Sequence, residues 1–280
     1  MPRNNIVNSV ASFNNPLVTI TRYLTSMLFF LLLIPTFSWA EMYVGGYLGA
    51  NFGLSTNPRW DAHYYQGTKI RPQYAPTGTY APLTFPAFNA DNIGVEPSLM
   101  VGGKFGYWFS REGALKANYP NFMKYLGLEL DISYNALNWG RQNVVISPVN
   151  YATKIENNGF MVTAALLVMG RYGFLPDQEV PFGRLQPYLG IGPSIVVTKT
   201  SLNIGRDYKS SEADPGFMVE TGLRYMIRKN FSIAGEFKYR YARIHADVDD
   251  TVFGIPYGLY VPMYTTYNLF SLTVGVAYHF

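Results

Sequence analysis

An all-β fold, an eight-stranded antiparallel transmembrane β-barrel of the outer-membrane type, is what this sequence predicts, and three observations predict it. The first is the final stretch, Thr265 to Phe280, TTYNLFSLTVGVAYHF. Asn268, Phe270, Leu272, Val274, Val276, Tyr278 and Phe280 share one face, apolar after its first member; Leu269, Ser271, Thr273, Gly275, Ala277 and His279 share the other, small or polar after its first. Side chains alternate across a strand with period two, so this segment is a strand with one apolar and one hydrophilic face. Segments upstream repeat the pattern. The second observation is the rhythm of the connections, which run long, medium, long, short, long, tight, long, as in barrels with long outer loops and short periplasmic turns. A soluble β-sandwich would also alternate, but it has no reason to show that rhythm. The third is an export signal at the N-terminus. Beyond it no long apolar helix remains, and a closed barrel is then the one way to span a bilayer.

Residues 1–40 read as the signal peptide and 41–280 as the barrel. Met27 to Ile34 is an apolar run preceded by Arg22 and followed by Pro35, and Ser38-Trp39-Ala40 places small residues where a signal peptidase reads, so cleavage is expected after Ala40. The run is well short of the ~20 apolar residues that cross a bilayer as a helix. Aromatic residues make up 16% of the chain, which suits strands and the interfacial girdles of a membrane barrel. The formal charge of +4 is spread without a Lys/Arg cluster, so nucleic acid is not an expected partner. Cysteine is absent, which excludes disulfides, thiolate metal sites and Cys nucleophiles.

The first strand is Met42 to Leu54, with Met42, Val44, Leu48, Ala50, Phe52 and Leu54 against Tyr43, Gly45, Tyr47, Gly49 and Asn51. Ser55 to Val95 is rich in Pro and Tyr, has no sustained period, and reads as a loop too long to be a passive connector. The second strand, Glu96 to Ser110, sets Leu99, Val101, Phe105, Tyr107 and Phe109 against Met100, Gly102, Lys104, Gly106 and Trp108. In the third, Met123 to Leu137, Leu126, Leu128, Leu130, Ile132 and Tyr134 alternate with Gly127, Glu129, Asp131, Ser133 and Asn135. Carboxylates at every second position of an apolar strand require a polar interior. Asn138 to Asn158 reads as a second long loop. The fourth strand, Gly159 to Phe174, is apolar on both faces from Ala164 to Met169, so a short helix competes there; its place between clean strands and Arg171 near its end favour a strand. Leu175 to Gly183 is a turn. The fifth strand, Arg184 to Lys199, opposes Leu189, Ile191, Ile195 and Val197 to Gln186, Tyr188, Gly190, Gly192 and Ser194, with Pro187 and Pro193 predicting a bend or irregularity. Thr200 to Asp214 reads as a polar loop. The sixth strand is Pro215 to Ile227, Arg228-Lys229-Asn230 a tight turn, and the seventh strand Phe231 to His245. Ala246 to Tyr264 is the last long loop before the closing strand.

With the apolar faces toward lipid, the opposite faces place Lys104, Glu129, Asp131, Arg171, Glu220, Arg224, Glu236, Lys238 and Arg240 in the lumen. An eight-stranded barrel is just wide enough inside for side chains to fill it. Opposite charges in so narrow a bore are expected to pair as a plug; the competing reading is a charged conduit for ions.

These features resemble the small outer-membrane β-barrel superfamily: the OmpA transmembrane domain, opacity proteins and related surface antigens of Gram-negative bacteria. The resemblance is carried by LGLELDISY (126–134), QPYLGIGPS (186–194), GLRYMIRKNFSIAGEFKYRY (222–241) and most sharply by Thr273, Gly275, Tyr278 and Phe280 of the last strand. It implies residence in the cell outer membrane, contact with outer-membrane lipid, and recognition of the last strand by the barrel-assembly machinery. Unlike OmpA, the sequence stops at Phe280, so a peptidoglycan-binding domain and a cell-wall tether are not expected.

No catalytic, metal or cofactor site is expected. Of the three histidines, His63, His245 and His279, His245 lies at the predicted extracellular end of the seventh strand beside Asp247, Asp249 and Asp250. An Asp–His couple activating water at the extracellular rim is the enzymatic alternative. The same aspartates lack the glycine and distal Glu of a calcium loop. A specific role belongs to the loops. The first carries Trp60, Tyr64, Tyr65, Tyr74, Tyr80, Phe85 and Phe88, and the last Phe253, Ile255, Tyr257, Leu259, Tyr260, Val261 and Tyr264. Two readings stay open: contact with a host or cell-surface protein, or packing on one another to cap the barrel. The expected function is a structural or surface-interaction role, as an adhesin or surface antigen. The rival is a narrow OmpW-type channel for small or apolar molecules, marked by an apolar lumen or a lateral opening.

Overall fold

The computed structural model describes residues 41–61, 63–64, 87–109, 120–148, 150–203, 207–248 and 259–280. The segment read as a signal peptide, with Ala40, lies outside them. So do Tyr65, Tyr74, Tyr80, Phe85, Asp249, Asp250, Phe253, Ile255 and Tyr257.

The strands are β1 (Glu41–Gly53), β2 (Arg59–Trp60), β3 (His63–Tyr64), β4 (Phe88–Ala90), β5 (Ser98–Trp108), β6 (Leu126–Ala136), β7 (Trp139–Ser147), β8 (Tyr151–Arg171), β9 (Leu185–Asn203), β10 (Asp207–Arg228), β11 (Phe231–Val248) and β12 (Leu259–His279). The eight long ones pair antiparallel in a closed ring, β1-β5-β6-β8-β9-β10-β11-β12, and β12 returns to β1 from Tyr43 with His279 to Gly53 with Leu269. Closure leaves no sheet edge at this level, as a bilayer demands. A single-turn 3-10 segment, Asn121–Tyr125, precedes β6.

The ring has two storeys. β1, β5 and β6 have 13, 11 and 11 residues, whereas β8 and β10 have 21 and 22. About ten tilted residues cross a bilayer, so β8 to β12 stand well clear of it on the extracellular side. There the short strands replace the lower ones: β2 pairs β12, β4 pairs β2, β7 pairs β4 and β8. Between the storeys the wall is held by a Thr56–Ile93 bridge and by the Gln142 carboxamide, which accepts from the Gly94 N–H at 3.0 Å and donates to its carbonyl at 3.2 Å.

This upper storey corrects the loop readings. Residues 139–147, 151–158, 200–203 and 207–214 are strand, with β7 laddered to β8 and β9 to β10 as far as Asp207 with Asn203, and 246–248 and 259–264 belong to β11 and β12. Above the bilayer the apolar face turns inward, with Val144, Ile146, Ile155 and Leu202 buried, so an alternation sorted by its lipid face goes unrecognised. Residues 164–169 are strand: Leu166 and Val168 are exposed, Leu167 and Met169 buried. At Pro193 the β9–β10 register runs on unbroken, while the β8–β9 ladder skips from Ala165 with Ser194 to Val168 with Ile191, as expected where an amide donor is missing.

In the lower storey the outward residues are apolar and exposed: Leu48, Leu99, Leu166, Ile195, Leu272 and Val274 among others. Aromatic rings gather at both margins. Tyr134 lies by Phe160 and Tyr239 by Phe270 toward the extracellular side; Tyr107 lies by Phe109 and Tyr278 by Phe280 toward the periplasmic side. Such girdles sit at the two membrane–water interfaces.

Candidate functional site in the barrel interior

Period-two alternation aims one side chain in two at the axis, so the interior is built from every strand at once. Its centre is ionic. Lys104, from β5, places Nζ 2.5 Å from Glu220 Oε1, 2.7 Å from Glu236 Oε1 and 3.2 Å from Glu129 Oε1. Lys238, from β11, places Nζ 2.6 Å from Asp131 Oδ2, 2.6 Å from Glu220 Oε2 and 3.2 Å from Glu236 Oε2. Three phenols complete the carboxylates: Tyr47 donates to Asp131 at 2.7 Å, Tyr188 to Glu236 at 2.6 Å, and Tyr43 to Glu129. Thr273 also donates to Glu236, at 3.1 Å. Buried charge is tolerable only when paired and hydrogen-bonded in this way.

An arginine lies on either side of this layer. Toward the extracellular end, Arg240 donates to Asn135 at 2.8 Å and Asn51 at 2.6 Å, with Thr163 and Ser271 at 3.4 and 3.3 Å. Toward the periplasm, the Arg224 guanidinium lies 4.2 Å from the Tyr43 ring and 5.1 Å from that of Tyr188, so aromatic faces rather than carboxylates hold it. Arg171, also buried, sits at the periplasmic mouth between the rings of Trp108 (4.2 Å) and Phe182 (4.1 Å). His279 is buried there, with Nε2 2.8 Å from Ser232 Oγ.

The aromatic rings have room because glycines face them in register. Tyr43 pairs with Gly106, Tyr47 with Gly102, Trp108 with Gly127 and Tyr188 with Gly222. A Cβ at Gly106 would stand 2.1 Å from the Tyr43 ring, and one at Gly222 2.5 Å from that of Tyr188. Gly275 likewise faces Tyr47. Above Arg240 the interior changes character: Trp60, Trp139, Ile155, Met161, Ile244 and Tyr267 belong to one apolar core that fills the upper storey. Trp60 and Phe88, taken above as loop aromatics, are inside it.

The sequence profile of the outer membrane protein beta-barrel domain matches residues 29–280. The chain belongs to that family. It is accordingly an outer-membrane protein. Its fold is similar to those of OprG from Pseudomonas aeruginosa (15% identity, TM-score 0.48, covering 86% of this chain and 96% of that one) and of neisserial surface protein A (14%, 0.33, 85% and 97%). It is also similar to that of Ail, the attachment invasion locus protein of Yersinia pestis, in complex with the heparin analogue sucrose octasulfate (11%, 0.32, 86% and 99%). No curated protein matches the chain.

Within this family barrel, the luminal carboxylates of Glu129, Asp131 and Glu220 come within 4.8 Å of one another, and the Lys104 and Lys238 ammonium groups sit among them. Residue patterning had not singled out Tyr43, Tyr47 and Tyr188 as parts of the ionic layer. Their place on the inward face, each opposite a glycine, was the available sign. His245 lies outside the lumen, on β11, with both ring nitrogens near carboxylates: Nδ1 contacts Asp214 and Nε2 is 3.5 Å from Glu212. Both of these partners come from β10. At the C-terminus Thr273 points inward, whereas Tyr278 and Phe280 are exposed on the lipid side.

Proposed function

We propose that this protein is a non-catalytic, closed outer-membrane barrel whose role is structural or adhesive, exerted through what stands outside the membrane. The observation that carries this is the luminal layer in which Lys104 and Lys238 are each held by three carboxylates. An eight-stranded bore leaves little space beside such a layer, and moving an ion through it requires separating buried pairs. The extracellular storey then supplies a rigid platform for loops that contact a host or cell-surface protein. Outer-membrane lipid surrounds the apolar belt, and the barrel-assembly machinery reads Thr273, Gly275, Tyr278 and Phe280. Single-channel recording of the refolded protein in a planar bilayer tests the closed lumen. The expected record is silence; a large, steady conductance would sink the reading and make the nine charged residues a selectivity filter.

A second reading, a narrow channel for small apolar molecules, is favoured by the apolar core of the upper storey, with Leu167 and Met169 as apolar lining lower down. Vesicles bearing the protein would then take up a small apolar fluorophore faster than protein-free vesicles, without conducting ions.

A further inference from the structure

The β10–β11 ladder stops at Gly216 with Ala242. Both strands continue beyond it: β10 stays laddered to β9 as far as Asp207, and β11 to β12 as far as Val248. Among the described residues the extracellular wall therefore divides along a seam between residues 207–215 and 243–248. Backbone groups at such a seam lack ladder partners and need others. Asp214 provides one. Its carboxylate reaches across from β10, accepts the His245 backbone N–H at 3.2 Å and contacts Nδ1 of the same residue. Glu212 Oε2 is 3.5 Å from Nε2. The Asp214 side chain is 8% exposed and that of His245 37%, so this cross-link is partly sheltered yet open to protons. Behind it lie Ile244 and Ala246 of the apolar core.

An imidazole with a carboxylate at each nitrogen is favoured in the form that carries both protons. Other polar and charged groups stand close by among the described residues. Ser210 donates to Glu212 Oε1 at 3.1 Å, Arg243 on β11 stacks on Tyr264 of β12 at 5.3 Å, Tyr264 is the cross-strand partner of His245, and Lys209 on β10 and Lys199 on β9 are exposed.

We propose that His245 is a proton-operated latch on this seam. While the ring carries both protons it ties β11 to Asp214 and Glu212. When it gives one up to solvent, the remaining N–H stays with the buried Asp214, and the Nε2 lone pair faces the Glu212 carboxylate, so that contact turns repulsive and the seam loosens over the apolar core. The latch is independent of whether the charged luminal layer conducts.

The chain has no cysteine, so single thiols report cleanly. Ile244→Cys places one behind the seam and Ser211→Cys an exposed reference beside it. Both are refolded into vesicles and labelled with an impermeant thiol reagent at about pH 6 and about pH 9, since flanking carboxylates move the transition above the ~6.5 at which imidazole ordinarily titrates. The rate at Ile244→Cys, divided by that at Ser211→Cys, should rise about five-fold at the higher pH, the change expected when a part-exposed ion pair is lost from an opening equilibrium. Adding His245→Gln should leave it high and flat. Equal normalised rates at the two pH values, or a slope that survives His245→Gln, would overturn the latch. Should Ile244→Cys not fold, hydrogen exchange of amides 243–247 in the unaltered protein, corrected for intrinsic rates, reads the same opening: faster exchange at the higher pH is expected, and no change overturns it.

Discussion

Glu220 and Glu236 stand on adjacent strands and are held by the same two ammonium groups, Lys104 at 2.5 and 2.7 Å and Lys238 at 2.6 and 3.2 Å. When either lysine leaves, both acids are left sharing the one that remains, with buried negative charge uncompensated. Removing one member of a buried ion cluster costs about 3–5 kcal/mol, because the partners stay behind unpaired. Lys104→Met and Lys238→Met should each lower the stability of the refolded barrel by that amount. Adding Glu220→Gln to Lys104→Met should recover part of the loss. Urea unfolding in detergent, followed by tryptophan fluorescence, measures both; single substitutions without effect would mean that the layer contributes nothing to holding the barrel closed.

The paired aromatic and glycine positions give a second expectation. A methyl at Gly106 has no room beside the Tyr43 ring, which is tied down by Glu129, and overpacking of this kind costs about 1–3 kcal/mol. Gly106→Ala should therefore destabilise the barrel. In a Tyr43→Ala background the same change should be nearly neutral, since neighbouring substitutions couple. Gly235→Ala is the control, because nothing lies within 4 Å of a Cβ there. Equal effects at Gly106 in the two backgrounds would show that ring and glycine do not interact.

How much of this was legible in the sequence follows from where one rule holds. In the lower storey, lipid outside and a narrow bore inside force apolar-out and polar-in, so Leu128 and Glu129, or Phe237 and Lys238, declare their faces by type alone. Above the membrane water replaces lipid outside, and the rule inverts: Ile244 and Ile146 turn in, Lys154 and Arg243 out. Those stretches have a clean period of two but the opposite sense, and short polar runs such as Ser210–Ser211 look like loop. The charged residues of the lumen could be read from alternation, their partners could not. Which lysine meets which carboxylate depends on strand register around a closed ring, as with Lys104 on β5 and Glu220 on β10, and no local pattern encodes that.

The periplasmic turn after β8 should respond to acid. Asp177 is held below the ordinary carboxylate range by the Val180 N–H, which it accepts at 2.7 Å, and by Arg184; Glu179 is lowered by Arg184 at 2.8 Å and by the Lys229 N–H at 3.3 Å. Arg184 is raised in turn, chiefly by Asp177. A carboxylate lowered on folding stabilises the turn above its unfolded titration, and that contribution disappears as pH falls through the folded one. The Val180 and Lys229 amide resonances should accordingly shift at a pH below the ~4 of free carboxylates. Arg184→Gln should move both transitions upward toward it. Transitions unmoved by Arg184→Gln would mean that the arginine does not hold this turn.

The last strand separates stability from assembly. Phe280 is 66% exposed, meets Tyr278 edge-on at 5.2 Å and has no place in the interior, although its backbone N–H donates to the Met42 carbonyl at 3.0 Å. Exposed aromatic surface at the membrane margin adds little to the packing of a barrel that is already closed. Phe280→Ala should therefore leave the urea midpoint of the refolded protein within about 0.5 kcal/mol of the unaltered one, as for other surface changes. If the assembly machinery reads this residue, the same substitution should sharply reduce the amount of heat-modifiable, membrane-inserted protein in cells. Gly275→Ala makes the contrast. Its Cβ would come to 3.0 Å from both the Tyr47 Cβ and the Gly46 carbonyl, so it should weaken the refolded barrel itself. Should Phe280→Ala insert at the normal level, the aromatic terminus is a membrane-margin side chain and not an address for assembly.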